Sequence, residues 1–331
     1  MSELTYEGVG KSFGGKKVVD GVSFRAERGK ITVLMGPSGS GKTTLLRMAN
    51  RLVEPSEGRV LLDGEDISGM EPLEIRRSTG YVVQQIGLFP HMTVEENIAL
   101  VPRLKGWDEG RARRRAAELL ELVGLEPSQY LKRYPKQLSG GQQQRVGVAR
   151  ALAGDPGLIL MDEPFSHLDP SVRRQLQMEL LRIQRGLGKT VLFVTHDVEE
   201  AVRIADKICF LKEGRLIQEG SPAELLFNPL GDEVRSFFSS VSSMCRMERI
   251  SMKDFLRMRG PGPDPAPEVD SAGLKIEGST SVLEALGLMA KERSERALVV
   301  EGGIALCEVD ASELASFVLK NLRDGGCVPW R

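Results

Sequence analysis

Nine consecutive residues, Gly36-Pro-Ser-Gly-Ser-Gly-Lys-Thr-Thr, constrain this chain more than any other feature. They match the pattern G-x-x-x-x-G-K-[ST] and stand between a compact apolar run, Ile31 to Met35, and a stretch of helical character, Lys42 to Arg51. Strand, glycine-rich loop and helix in that order make a phosphate cradle. The loop of Gly36, Pro37, Ser38, Gly39, Ser40 and Gly41 can turn its backbone N–H groups inward toward phosphate oxygens. Lys42 is expected to reach the β and γ phosphates and Thr43 to hold Mg²⁺ through its hydroxyl. Thr44 continues into the helix, whose N-terminus adds a favourable positive dipole end.

Further short apolar runs read as strands: Arg59 to Leu62, Gly80 to Gln84, Leu158 to Asp162, Thr190 to Thr195 and Lys207 to Leu211. Alternating with helical segments, they imply an α/β fold with a largely parallel, covered sheet. Leu4 to Val9 and Val18 to Phe24, with turn residues at Gly14-Gly15 and Glu27 to Lys30, read as a small β layer. Residues 88 to 153 turn mostly helical through Val94 to Leu100, Arg111 to Val123 and Gly140 to Ala153, the pattern of a helical insertion.

Two more motifs carry chemistry. Leu158-Ile-Leu-Met-Asp-Glu-Pro ends an apolar strand in adjacent carboxylates. Side chains alternate along a strand, so Asp162 can hold Mg²⁺ or its water shell while Glu163 orients and polarises an attacking water. In Leu138-Ser-Gly-Gly-Gln-Gln-Gln-Arg, residues Ser139, Gly140, Gly141 and Gln142 open a helix and offer a second phosphate-binding device. One γ-phosphate hardly needs two cradles from one subunit. The second is therefore expected to serve a nucleotide held by another copy, which makes a homodimer the working unit.

Together these motifs resemble the ATPase subunits of ABC transporters, whose P-loop NTPase domain is similar to residues 1 to about 235 throughout. The resemblance implies ATP and Mg²⁺ as ligands and assigns further residues. Gln84 in Tyr81-Val-Val-Gln-Gln corresponds to the glutamine loop that touches Mg²⁺ and water, with Gln85 as the rival. His196 corresponds to the switch histidine that contacts the γ-phosphate, and joins Glu163 and Gln84 as a catalytic residue. Asp169 in Ser166-His-Leu-Asp falls at the dimer seam, with His167 standing where many relatives have a small residue. Phe13 corresponds to the aromatic that stacks on adenine, with Tyr6 as the rival and a core role open for either.

The stretch from Arg76 to Ile98, with Asn50-Arg-Leu-Val-Glu-Pro, further resembles the ATPases of importers for glycine betaine, choline, carnitine or proline. Another small polar solute such as an amino acid is the alternative, and a non-transport ABC ATPase the rival class. That resemblance implies a transmembrane permease, an extracytoplasmic substrate-binding protein or domain reached through it, and a peripheral place on the cytoplasmic face. The opening residues Met1 to Glu7 lack a basic start and an apolar stretch, so no secretory signal peptide is expected, and no run nears the ~20 apolar residues that span a bilayer. Lys and Arg total 45 against 46 Asp and Glu, so no global charge draws it to nucleic acid. The local cluster Arg111, Arg113, Arg114 and Arg115 precedes apolar residues at helical spacing and reads as a solvated helix face. Cys209, Cys245, Cys307 and Cys327 form no CxxC pair and read as free thiols.

Residues 236–331 read as a second unit. Arg259-Gly-Pro-Gly-Pro-Asp-Pro-Ala-Pro excludes helix and central strand and marks a linker or extended loop. Beyond it, Ser281 to Ala290 reads as an amphipathic helix, Arg296 to Val300 as a strand and Glu313 to Leu319 as a helix. This small α+β unit resembles a single, degenerate repeat of a cystathionine β-synthase-like (CBS) regulatory module.

Overall fold

The computed structural model describes residues 2–84, 87–166, 168–241, 243–259 and 274–323. The chain divides into two compact units, Met1–Glu219 and Gly220–Arg331.

The first unit holds strands β1 (Leu4–Phe13), β2 (Lys16–Ala26), β3 (Ile31–Met35), β4 (Glu57–Leu62), β5 (Glu65–Asp66), β6 (Thr79–Val82), β7 (Leu158–Asp162), β8 (Thr190–Val194), β9 (Lys207–Lys212) and β10 (Arg215–Gly220). Its α-helices are α1 (Lys42–Met48), α2 (Pro72–Ser78), α3 (Val94–Leu104), α4 (Glu109–Leu122), α5 (Pro127–Tyr130), α6 (Gly140–Ala153), α7 (Pro170–Leu187) and α8 (Val198–Ile204). A six-stranded sheet runs in the order β10-β9-β3-β8-β7-β6. Its pairings β9/β3, β3/β8, β8/β7 and β7/β6 are all parallel. Every residue of β3, β7 and β8 is buried, which is why these strands read as nearly continuous apolar runs, with Thr32, Thr190 and the terminal Asp162 as their polar members.

Arg59 to Leu62 does not join that sheet. As part of β4 it pairs antiparallel with β1, Val60 opposite Tyr6 and Leu62 opposite Leu4, in a second sheet ordered β2-β1-β4-β5. Val60 and Leu62 are buried and Leu61 between them is not, the alternation of a strand with one dry face. That dry face and the central sheet share one apolar cluster. Tyr6, Val19 and Val60 pack with Leu45, Leu46 and Met48 of α1 and with Leu160 and Leu192 of the central strands. The helix that follows the phosphate loop is thereby held between two sheets.

Tyr6 belongs to this cluster. Its hydroxyl donates to Leu45 O at 2.8 Å and its ring stacks on Phe24 at 4.4 Å, so the Tyr6 alternative for adenine is replaced by a core role. The helical insertion packs α3 against α4 and both against α6. On α4, Ala112, Ala116, Leu119 and Leu120 are buried. Arg111, Arg113 and Arg114 lie on the outer face, where Arg113 pairs with Glu95 and Glu109 and Arg111 lies over the Trp107 ring at 3.8 Å; Arg115 departs from that solvated face, half-buried with its Nε buried.

In the second unit α9 (Pro222–Phe227) packs against α10 (Asp232–Phe238) and α11 (Ser243–Arg249), followed by α12 (Met252–Arg259). Then come β11 (Leu274–Glu277), α13 (Val282–Glu292), β12 (Arg296–Glu301), β13 (Ile304–Asp310) and α14 (Ala311–Arg323). Strand β11 pairs parallel and β13 antiparallel with the central β12. Helices α9 and α10 thus fall with the second unit, although both precede or straddle residue 236. Beyond Arg259 the proline-rich stretch lies outside the described residues, as do Gln85, His167 and Cys327. Cys209 and Cys245 are buried free thiols and Cys307 is half-buried.

Candidate functional site

The loop between β3 and α1 owes its path to backbone that only glycine tolerates. Gly36 has a φ of +144°, and a Cβ there would sit 1.9 Å from Leu211 O, inside the van der Waals surface of the neighbouring strand. Lys42 is 6% exposed, and its Nζ donates to Gly36 O and Pro37 O, both at 2.8 Å. Burial lowers the pKa of its ammonium, while the charges of Glu163 and Asp162 act to raise it. The loop opens into a cleft of about 500 Å³ lined by Ser38, Gly39, Gly41, Lys42, Thr43, Thr44, Gln84, Glu163 and His196, with Val18 of β2.

Asp162 and Glu163 serve different partners, but strand alternation is not what separates them. Strand β7 ends at Asp162, and Glu163 turns off it with a φ of 45°. A non-glycine residue in that left-handed region carries about 1–3 kcal/mol of strain. Here the turn is pinned by the Glu163 N–H, which donates to Val194 O at 2.9 Å. Asp162 is 2% exposed and accepts from Thr43 Oγ1 at 3.0 Å. Burial pushes its carboxyl above the usual range, opposed by that hydrogen bond and by the charges of Arg47 and Lys42. Glu163 Oε2 accepts from Gln84 Nε2 at 3.1 Å and lies 3.1 Å from His196 Nδ1. Four elements distant in sequence therefore meet at one carboxylate pair.

The remaining sequence-assigned residues stand elsewhere. Ser139 caps α6: its Oγ accepts from the Gln142 N–H at 3.3 Å, and Gln142 Oε1 accepts from the Ser139 N–H at 3.0 Å. The amides of Gly140 and Gly141 are left at the open first turn. None of these four residues lines the cleft. Asp169 occupies the N-cap position of α7, exposed and without a side-chain capping bond. Phe13 is 49% exposed with Lys11 Nζ 5.2 Å from its ring centroid, and it too is absent from the cleft lining.

Two groups escaped notice in the sequence. Asp197 caps α8 and Arg173 pairs with it at 2.8 Å; the signal was the Asp-x-x-Glu spacing of Asp197 and Glu200, a helix start directly after His196. Glu200 is 4% exposed, accepts from Gln177 Nε2 at 3.0 Å, and burial pushes its carboxyl up to about 7 from 4.5. An acid whose folded pKa is raised stays protonated in the fold while the unfolded chain ionises. Stability therefore falls as pH rises through the interval from the ordinary value to about 7 and is level above it, a loss of about 3 kcal/mol. Glu200→Gln is expected to flatten that slope and to melt higher than the parent at pH 8, measured by thermal denaturation at pH 5 and pH 8. An unchanged slope counts against a buried, protonated Glu200.

A family model described as "ABC transporter" matches residues 19–166. Two proteins of Bacillus subtilis (strain 168), a choline transport ATP-binding protein and a glycine betaine/carnitine/choline transport ATP-binding protein, are each 46% identical over 299 residues. Each match covers 90% of this chain and 75% of the relative. The chain belongs to the ATP-binding proteins of ABC transporters. Like them it is an ATP hydrolase of the P-loop fold. Among solved structures, a dimeric ATP-binding cassette in a post-hydrolysis state bound to ADP and Pi is similar at 34% identity and a TM-score of 0.60, covering 66% of this chain and 98% of that one. Since 90% coverage exceeds the 219 residues of the first unit, the likeness of this ABC protein to its Bacillus relatives runs on into the second.

Proposed function

We propose that this ABC protein energises the uptake of an osmoprotectant such as glycine betaine, choline, carnitine or proline. The observation that carries it is the 46% identity across both units to relatives whose names specify choline, or glycine betaine, carnitine and choline. Two copies dock beneath a transmembrane permease that receives solute from an extracytoplasmic binding protein or domain. Among the described residues no helix is long and apolar enough to cross a membrane. The chain works peripherally, on the cytoplasmic face.

Within each cleft Lys42 and the loop amides hold the β and γ phosphates, His196 faces the γ-phosphate, Gln84 would meet Mg²⁺ and water, and Glu163 orients the attacking water. Phe13 meets the adenine end beyond Val18. Thr43 and Asp162, an all-oxygen pair 3.0 Å apart with one carboxylate, suit Mg²⁺, which binds through few protein ligands alongside phosphates and water. That ion neutralises charge on the transferred group when bound. Because Ser139 to Gln142 lie outside the cleft of their own chain, they are free to complete the partner's, and Asp169 sits at the seam between copies. The second unit, with its helix, strand and helix at the expected places, acts as a single CBS-like regulatory repeat.

A host strain lacking this chain is expected to lose radiolabelled glycine betaine uptake in high-osmolarity medium. Uptake returns with the parent gene and not with Glu163→Gln. Persistence of betaine uptake with loss of an amino acid's uptake would transfer the assignment to the alternative solute class.

A further inference from the structure

Residue Arg173, in the first turns of α7, connects two segments that approach the nucleotide from different directions. Its NH1 pairs with Asp197 Oδ2 at 2.8 Å, and its NH2 donates to Leu168 O at 3.2 Å. Leu168 immediately precedes Asp169. Asp197 immediately follows His196. One planar guanidinium therefore bridges the loop at the start of α7 and the loop that carries His196, using two arms of a fork of fixed geometry.

Both ends of the bridge are fixed in turn. The Asp197 N–H donates to Thr195 Oγ1 at 3.0 Å and Asp197 Oδ1 accepts from the Glu200 N–H at 3.0 Å, so the carboxylate cannot swing without uncapping α8. About one turn further along the same helices, Gln177 donates to the buried Glu200 and forms a second rung between α7 and α8. On the other side, the Leu168 side chain lies 3.7 Å from the point where a Cβ on Gly140 would stand, and Val172 lies 2.9 Å from that of Gly141. The loop that Arg173 holds is thus packed against the start of α6. Arg173 Nε is also buried with no hydrogen-bond partner. An arginine tethered only for surface charge would turn that N–H to water.

We propose that Arg173 is a positioning residue for hydrolysis: it locks the Leu168–Asp169 loop and the His196 loop into one unit, so that the start of α6, the seam residue and the histidine move together. It touches neither nucleotide nor water itself. The inference rests on the role given to His196 above, and goes beyond it in naming what holds that side chain's loop in register. A displacement of that loop by an ångström affects the chemical step more than binding, because ground-state contacts come from Lys42 and the phosphate loop.

The test uses the full-length chain and steady-state ATP hydrolysis. Arg173→Gln and Asp197→Asn, the latter keeping an acceptor for the α8 cap, are each expected to lower kcat about tenfold with KM for ATP within about twofold. The double variant is expected to lose about tenfold as well, not the roughly hundredfold of independent sites. Parental kcat in Arg173→Gln, losses that multiply, or a loss appearing only in KM overturns the proposal. Should the Gln variant fail to fold, Arg173→Lys serves: it keeps charge opposite Asp197 but not the two-armed fork, and parental kcat there overturns the proposal equally. His196→Ala run in parallel separates the two levels. Loss of hydrolysis in His196→Ala beside parental Arg173→Gln removes only this inference, whereas parental hydrolysis in His196→Ala removes the role of the histidine on which it rests.

Discussion

Glu163→Gln is expected to bind ATP as tightly as the parent and to hydrolyse it about a thousandfold more slowly, the range spanned by loss of a general base. The side chain reaches into the cleft but makes none of the contacts that hold the phosphate loop in shape; those come from Lys42 on Gly36 O and Pro37 O. Glutamine keeps the length and an acceptor for Gln84, so the fold around β7 persists. What it lacks is the negative charge that polarises water and accepts its proton. The positive φ at Glu163 is a backbone feature, borne by the fixed Val194 contact, and survives the substitution. Single-turnover hydrolysis with nucleotide bound at saturation separates chemistry from binding. A variant that turns over within about tenfold of the parent would take Glu163 out of the chemical step.

Five strands of the central sheet are legible in the sequence because burial on both faces leaves few polar positions to confuse the period; β10, largely exposed or half-buried at the sheet edge, is not. Leu158 to Asp162 and Gly140 to Ala153 were bounded to the residue. The phosphate loop was legible for a related reason, since glycine at Gly36 answers a backbone constraint that no other residue meets. Arg59 to Leu62 reads as a strand but its sheet does not, because its partner β1 lies 50 or more residues away and its local partner, β5, is two residues long. Asp162 and Glu163 were given the right divergence for an incomplete reason: the strand stops between them. The Arg173 fork was invisible, as an arginine four residues after Asp169 carries no period and its two acceptors come from a backbone carbonyl and a distant loop. The division at Gly220 was likewise hidden, since α9 and α10 are set apart by what they pack against and not by composition.

Lys42→Ala is expected to act on the other half of the cycle, lowering affinity for ATP by two to three orders of magnitude, about 3–4 kcal/mol. The ammonium is nearly buried, and burial works against its charge; Glu163, Asp162, the loop carbonyls and the Ser40 hydroxyl offset that cost in the free protein. Bound phosphates repay it, because a charge already desolvated meets an anion without losing further water. Alanine removes the cation and leaves two carboxylates, one of them 2% exposed, facing the phosphates with Arg47 as the positive charge still acting on Asp162. Lys42→Arg should recover little: a planar guanidinium needs more room than a point charge bracketed by Gly36 O and Pro37 O. Isothermal titration with ATP, carried out beside Glu163→Gln, gives opposite expectations for the two variants. Affinity in Lys42→Ala within about threefold of the parent would mean that the loop amides alone hold the nucleotide and that the lysine has another task.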